Sequence, residues 1–149
     1  MNLSELKIKQ KIAKAKKVKR QAKAKKYAVK TLKVSDKELD ALCREVVLAR
    51  DKVCQKCGGS KVLQWSHVHG RRNKHLRWDP DNSKMLCFRC HFYFWHKEPL
   101  QAQEWFETKF PERAARLKNK FMLSQRGGYV DKNSWKIILL EEKKNLGII

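Results

Sequence analysis

Two Cys-x-x-Cys pairs, Cys54/Cys57 and Cys87/Cys90, frame the part of this 149-residue chain where chemistry is most readily placed, and His91 follows the second pair at once. Two residues between the cysteines of each pair make a knuckle that turns both sulfurs toward one point. Thiolates are soft donors suited to zinc, which takes four in a tetrahedron. With Cys54, Cys57, Cys87 and Cys90 all engaged, no coordination position stays open, so the Zn²⁺ expected here is structural. It ties together the ends of a 29-residue loop. That loop has little apolar content on its face, and metal binding is therefore expected to be part of folding.

Inside and beside this frame stand His67, Asn82 and His91, in that order. Phosphodiester hydrolysis needs a base for water, a divalent ion for developing charge, and cations to hold the backbone. His67 suits the base and His91 a ligand for Mg²⁺ or Mn²⁺. Asn82 suits a tie that hydrogen-bonds the loop backbone and so orients His67. Arg71, Arg72, Lys74 and Arg77 are the phosphate-binding candidates of that loop. Each residue alone has a plainer reading. His67 fits a packed strand residue, His91 a bystander of zinc, and Asn82 after Pro80-Asp81 a turn residue.

The elements that must position these groups are legible around them. Ser35-Asp36-Lys37-Glu38 reads as a capping box, opening a helix to about Arg50. Leu39, Leu42, Cys43, Val46, Val47 and Arg50 form its core-facing stripe; Cys43 is expected there as a small buried apolar residue. Val62 to Val68 reads as a strand, Gly70 to Asn82 as a basic loop, and Lys84 to Leu86 as a short second strand. Phe88 to His96 is expected as a helix. Its four successive aromatics, Phe92 to Trp95, cannot share one buried face, so packing is expected for most and stacking on an unpaired base for one or two. Further helices are expected from Pro99, over Glu112 to Phe121, and from Lys132 to Asn145, with Gly147 just past the end. The fold class expected is α+β, a zinc-stabilised core within 35–98 carrying a C-terminal helical extension, 99–149.

Ahead of this lies a basic arm, 1–34. Residues 1–33 hold thirteen Lys or Arg against Glu5 alone, with high helix propensity and no Gly or Pro. Lys16, Lys17, Lys19 and Arg20 are its candidate DNA contacts. The formal charge of the whole chain is +21, an excess that points to a polyanionic partner such as DNA or RNA. Its apolar runs are short, with Ile137 to Leu140 among the longest, and the N-terminus has no apolar core of a signal peptide. A cytoplasmic location without a membrane partner is the expectation, and paired cysteines there signify metal rather than disulfides.

The segment Cys54 to His91 resembles an HNH (ββα-metal) nuclease, and more narrowly the phage NinG/Rap-type recombination endonucleases. The likeness rests on a helix ending just before Cys-x-x-Cys-Gly, then Gln64-Trp65-Ser66-His67, Leu76-Arg77-Trp78-Asp79, Asp81-Asn82 and Leu86-Cys87-x-x-Cys90-His91. Elsewhere, in the Lys-rich arm and the tail Tyr129 to Asn145, the likeness is one of arrangement. The resemblance implies a ββα-metal core with His67 as general base, Asn82 as loop support and His91 as catalytic-metal ligand. It further implies products with 5′-phosphate and 3′-hydroxyl ends, branched recombination DNA as substrate, and a phage protein acting in the bacterial cytoplasm.

One position departs from the wider pattern. Many such sites carry an Asp ligand just before the base, where this chain has Ser66, a poor partner for Mg²⁺. His69, His75 and His96 are the candidate extra ligands. His69 shares a strand face with His67 if the strand continues. His96 lies five residues beyond His91, about 140° around a regular α-helix, so it needs a distortion to take part. The function expected is a metal-dependent, structure-selective DNA endonuclease. A homodimer would suit cutting both strands of a symmetric junction, although no heptad pattern supports one. The alternatives are a zinc-containing nucleic-acid-binding protein without catalysis, which would leave DNA intact, and a basic RNA- or ribosome-associated protein, which would have no need of His67.

Overall fold

Ser35 sets the start of the folded core. Its backbone is extended, at φ −85° and ψ 155°, and its Oγ accepts the Glu38 amide at 3.1 Å, which satisfies a donor that the first helical turn leaves free. The computed structural model describes Lys14, Lys16, Lys17, Lys19, Arg20 and residues 33–148. The chain divides into two units, Met1–Lys33 and Val34–Ile149. In the first, the five named basic residues are helical and exposed; of the rest of the expected arm, 1–34, only Lys33 and Val34 are described, and Val34 is buried in the core of the second unit. The second unit takes in both the 35–98 and 99–149 regions.

Helix α1 (Asp36–Asp51) buries Leu39, Cys43, Val46 and Val47. Those positions recur at helical spacing, so one stripe faces inward. Strands β1 (Leu63–His67) and β2 (Ser83–Cys87) pair antiparallel, with Trp65 opposite Met85, Ser66 opposite Lys84 and His67 opposite Ser83. Alternation gives the ribbon two unlike faces. Trp65 and Met85 pack with the α1 stripe. Leu86, on the other face, packs with Cys54 and Cys90. A two-stranded ribbon is marginal alone; here both faces are covered.

Past β2 the chain winds as a π-helical segment, Cys90–His96, then α2 (Pro99–Lys109), α3 (Pro111–Ser124) and α4 (Lys132–Asn145). Proline opens α2 and α3, where its missing N–H costs nothing. Phe106 of α2 and Leu117 of α3 enclose Leu76 from the basic loop. Leu139 of α4 joins the α1 cluster. The architecture is mixed α+β, and no described helix is long and apolar enough to cross a membrane.

The helix expected over Phe88 to His96 is present, and Cys90–His96 within it is wound as a π-helix. One expectation is corrected. The basic loop is better anchored than its composition suggests, because Leu76 and Trp78 are buried at 3% and 0% exposure. Trp78 Nε1 donates to Asp40 of α1 at 2.9 Å. The loop is thus held to the core by its own packing, whatever the cysteines bind.

Candidate active site and metal centre

The four cysteine sulfurs converge, with all ligand atoms within 4.8 Å of one another. Cys57 Sγ and Cys87 Sγ stand 3.8 Å apart. Zinc–sulfur bonds of about 2.3 Å in a tetrahedron require sulfurs about 3.8 Å apart, the separation that this pair shows. The first knuckle closes through Gly58 N–H to the Cys54 carbonyl at 2.8 Å and Cys54 N–H to the Gly59 carbonyl at 2.8 Å. Gly58 sits at φ +75°, a conformation that glycine enters without steric cost. Burial pushes the Cys54 thiol up, but amide donors of Cys57, Cys87 and Lys56 outweigh it and bring the thiol down to about 7. Cys90 is pushed well up by burial and by the other three sulfurs. Four thiolates therefore need a cation among them, and this donor set fits Zn²⁺. Cys43 is a separate case. It is buried in the α1 stripe, donates to the Trp78 carbonyl at 3.3 Å, and burial raises its thiol to about 12, which leaves it inert.

The π-helical winding places His96 against His91. Hydrogen bonds from i to i+5 widen each turn, so residues five apart stack where an α-helix would splay them. The two Nε2 atoms lie 3.0 Å apart. Gln64 of β1, which the sequence reading left without a role, sits 2.6 Å from His91 Nδ1 through its Oε1. An amide oxygen can only accept, so Nδ1 carries the hydrogen and the Nε2 lone pair faces His96. Burial, then the neighbouring His96, Lys84 and Arg71, hold His91 down at about 4, so it is neutral at physiological pH. Two imidazole nitrogens at this separation match adjacent sites on one ion, since bonds of about 2.1 Å at right angles span about 3.0 Å.

His67, at the end of β1, is fixed differently. Its Nε2 donates to the Arg77 carbonyl at 3.1 Å, which leaves Nδ1 as the bare acceptor. Its backbone carbonyl accepts Trp95 Nε1 at 2.9 Å, and its ring lies 4.2 Å from that of Trp65. Burial first, then Arg71, brings it down to about 4. Arg71 also disfavours protonation of both His67 and His91.

Asn82 is fully buried and spends its side chain on the loop. Oδ1 accepts the His69 amide at 2.7 Å, and Nδ2 donates to the His69 and Leu76 carbonyls, each at 2.9 Å. Its own turn, Pro80–Asn82, is clamped from two helices. Arg50 of α1 donates to the Pro80 and Ser83 carbonyls at 2.8 Å each, and Arg113 of α3 donates to the Asp81 carbonyl at 2.9 Å.

Among the loop cations, Arg71, Arg72 and Lys74 are exposed, and the Arg71 guanidinium lies 5.5 Å from the Trp65 ring centre. Arg77 requires a correction. It is bidentate to Asp40 at 2.9 and 2.6 Å and reaches Asp36 at 3.2 Å, so its charge is spent on α1. It acts on the site only through the carbonyl that holds His67. The extra-ligand candidates separate as well. His69 stacks on Phe121 of α3 at 4.1 Å, and His75 lines a cavity of about 600 Å³ with Asp79, Lys120 and Trp135. The ring that meets His91 belongs to His96.

Lys84 was not foreseen. Opposite Ser66, it is fully buried; its Nζ lies 3.0 Å from the Trp95 ring centre and, among the described residues, has no hydrogen-bond partner, and neither does Ser66 Oγ. Burial pushes it well below the ordinary lysine range. Nothing in the sequence marks that burial except the strand register, since alternation from Met85 puts Lys84 on a covered face. Comparison of the chain with family models, curated proteins and solved structures found no match.

Proposed function

We propose that this protein is a metal-dependent DNA endonuclease of the HNH type, with a structural zinc beneath its catalytic residues. The observation that carries the reading is the complementary tautomer control of two neutral histidines. The Arg77 carbonyl leaves His67 Nδ1 bare, and Gln64 leaves His91 Nε2 bare beside His96. Each ring thereby presents one unprotonated nitrogen, as a base and a metal ligand both require.

In this reading His67 Nδ1 takes the proton from the attacking water. An anionic phosphodiester nearby favours the imidazolium and raises His67 from its low resting value toward the working range. His91 and His96 would hold the catalytic divalent ion, which would supply charge stabilisation at the scissile phosphate. Imidazole donors suit Mn²⁺ and later transition ions better than Mg²⁺, which prefers oxygen. His96 thereby takes the place of the carboxylate ligand that Ser66 cannot supply. Arg71 steadies the backbone beside the cut, and Asn82 keeps the loop between His67 and His91 in register. The exposed helical Lys16, Lys17, Lys19 and Arg20 add sequence-independent affinity. Branched recombination DNA is the proposed substrate class.

The experiment is incubation of linear, nicked and four-way-junction DNA with the wild type and His91→Ala, with Mn²⁺, with Mg²⁺ and without added divalent ion. Cleavage by the wild type with Mn²⁺, weaker with Mg²⁺ and abolished in the variant, supports the reading. Tight binding with intact DNA under every condition overturns it in favour of a non-catalytic zinc protein.

A further inference from the structure

The helical run that follows the second cysteine pair carries aromatic rings on its solvent side. Phe88, Phe92 and Tyr93 are 51%, 43% and 60% exposed, so two of the four successive rings Phe92 to Trp95 face outward, joined by Phe88. Phe94 and Trp95 do pack, edge-on to Trp105 of α2 at 5.8 and 6.5 Å. The three outer rings instead brace one another. Phe88 and Phe92 are within 5° of parallel with centres 5.8 Å apart. Tyr93 stands edge-on to Phe92 at 5.1 Å and to Phe88 at 6.4 Å. Such mutual bracing fixes the rings before any partner arrives, which lowers the ordering cost of binding.

The surroundings are cationic. Arg89 is exposed, Lys97 Nζ lies 5.5 Å from the Phe92 ring centre, and no acidic residue occurs from Phe88 to Lys97. An apolar face rimmed by positive charge, on a chain of formal charge +21, suits a flat ring attached to a polyanion. In duplex DNA the faces of the bases are hidden by their neighbours, so only unpaired bases can stack on protein rings.

We propose that Phe88, Phe92 and Tyr93 form a stacking platform for unpaired DNA bases, placed on the same segment as His91 and His96, so that branched or frayed DNA is preferred over continuous duplex. This deepens the proposed function and rests on its nucleic-acid partner. It requires no base-specific contact, because every base offers a π face.

The test is fluorescence anisotropy of the full chain with a forked DNA bearing unpaired arms and with a blunt duplex of equal length, without added divalent ion. Wild type, Phe92→Ala, Tyr93→Ala and Phe92→Leu are compared, each checked for zinc content and melting temperature. Each alanine variant should bind the fork roughly tenfold more weakly while changing duplex affinity less than about twofold. Phe92→Leu should lose nearly as much, since it keeps apolar bulk but not the ring. Equal losses on fork and duplex, no loss on either, or full rescue by leucine would overturn the platform. Cleavage with Mn²⁺ is scored separately. Fork preference without cleavage counts against the nuclease reading alone, and cleavage without ring-dependent fork preference against the platform alone.

Discussion

Stripping zinc should lower the melting temperature by about 15 °C without abolishing the fold. The perturbation is a high-affinity chelator or, independently, Cys87→Ser. A metal held by the four cysteines would link Cys57 to Cys87, thirty positions apart, and would act as a cross-link on the unfolded chain. Closing a loop of that length removes about 12 cal/mol/K of chain entropy, or about 3.6 kcal/mol at 25 °C. Unfolding the unit Val34–Ile149 releases about 0.24 kcal/mol/K, which converts the loss to about 15 °C. The value is a floor, because thiolate–zinc bonding in the folded state adds to it. Buried Leu76 and Trp78 keep the loop docked, so a cooperative transition should survive. The assay is metal analysis alongside calorimetric melting, where one zinc per chain is expected. A chain that binds no zinc, or one whose melting is unchanged after the metal has demonstrably left, refutes the reasoning.

Other outcomes follow from the same geometry. Gln64→Ala should weaken Mn²⁺ binding by about 10- to 100-fold through loss of His91 orientation, measured by calorimetric titration; unchanged affinity would deny Gln64 that role. Arg77→Ala should cost about 2 kcal/mol of stability from its charge-assisted bonds to Asp40, and slow any cleavage through His67, while the salt dependence of DNA binding stays as in the wild type; a shallower salt slope at unchanged stability would restore Arg77 as a phosphate contact. Lys84→Met should raise stability at pH 7 by more than about 1 kcal/mol, since it removes a buried amine without a hydrogen-bond partner. The sign with pH is fixed by burial: the unfolded lysine keeps its proton to about pH 10.4 while the folded one sheds it sooner, so wild-type stability gains on the variant as pH rises from 7 to 9, and parallel melting curves would contradict this. If the arm and loop neutralise about eight phosphates, DNA affinity should fall with a log–log salt slope near −7, and a slope near −2 would count against the arm.

Much of the scaffold was legible because its signals are local. The Ser35 capping box, the α1 stripe, the prolines opening α2 and α3, and the Cys-x-x-Cys knuckles each follow from a few adjacent residues. Asn82 could be placed on the loop backbone because a short amide side chain readily bonds nearby main chain. What escaped was set by tertiary packing. The π-helical winding that joins His96 to His91 has no marker in Cys90–His96 itself. Gln64 gained its role from cross-element contact with His91, and Arg77 lost its assigned one to Asp40, thirty-seven residues upstream. The exposed ring cluster was only half visible, since the sequence showed that four successive aromatics could not all be buried but not which of them would turn outward.

The proposed reaction has His67 accept a proton at a phosphate held near His91, and the single-turnover cleavage rate of junction DNA, with Mn²⁺ and saturating protein, tests it for wild type against His67→Ala. The variant should be slower by about 10²- to 10⁴-fold, with DNA affinity and zinc content unchanged. Equal rates for the two proteins would contradict it.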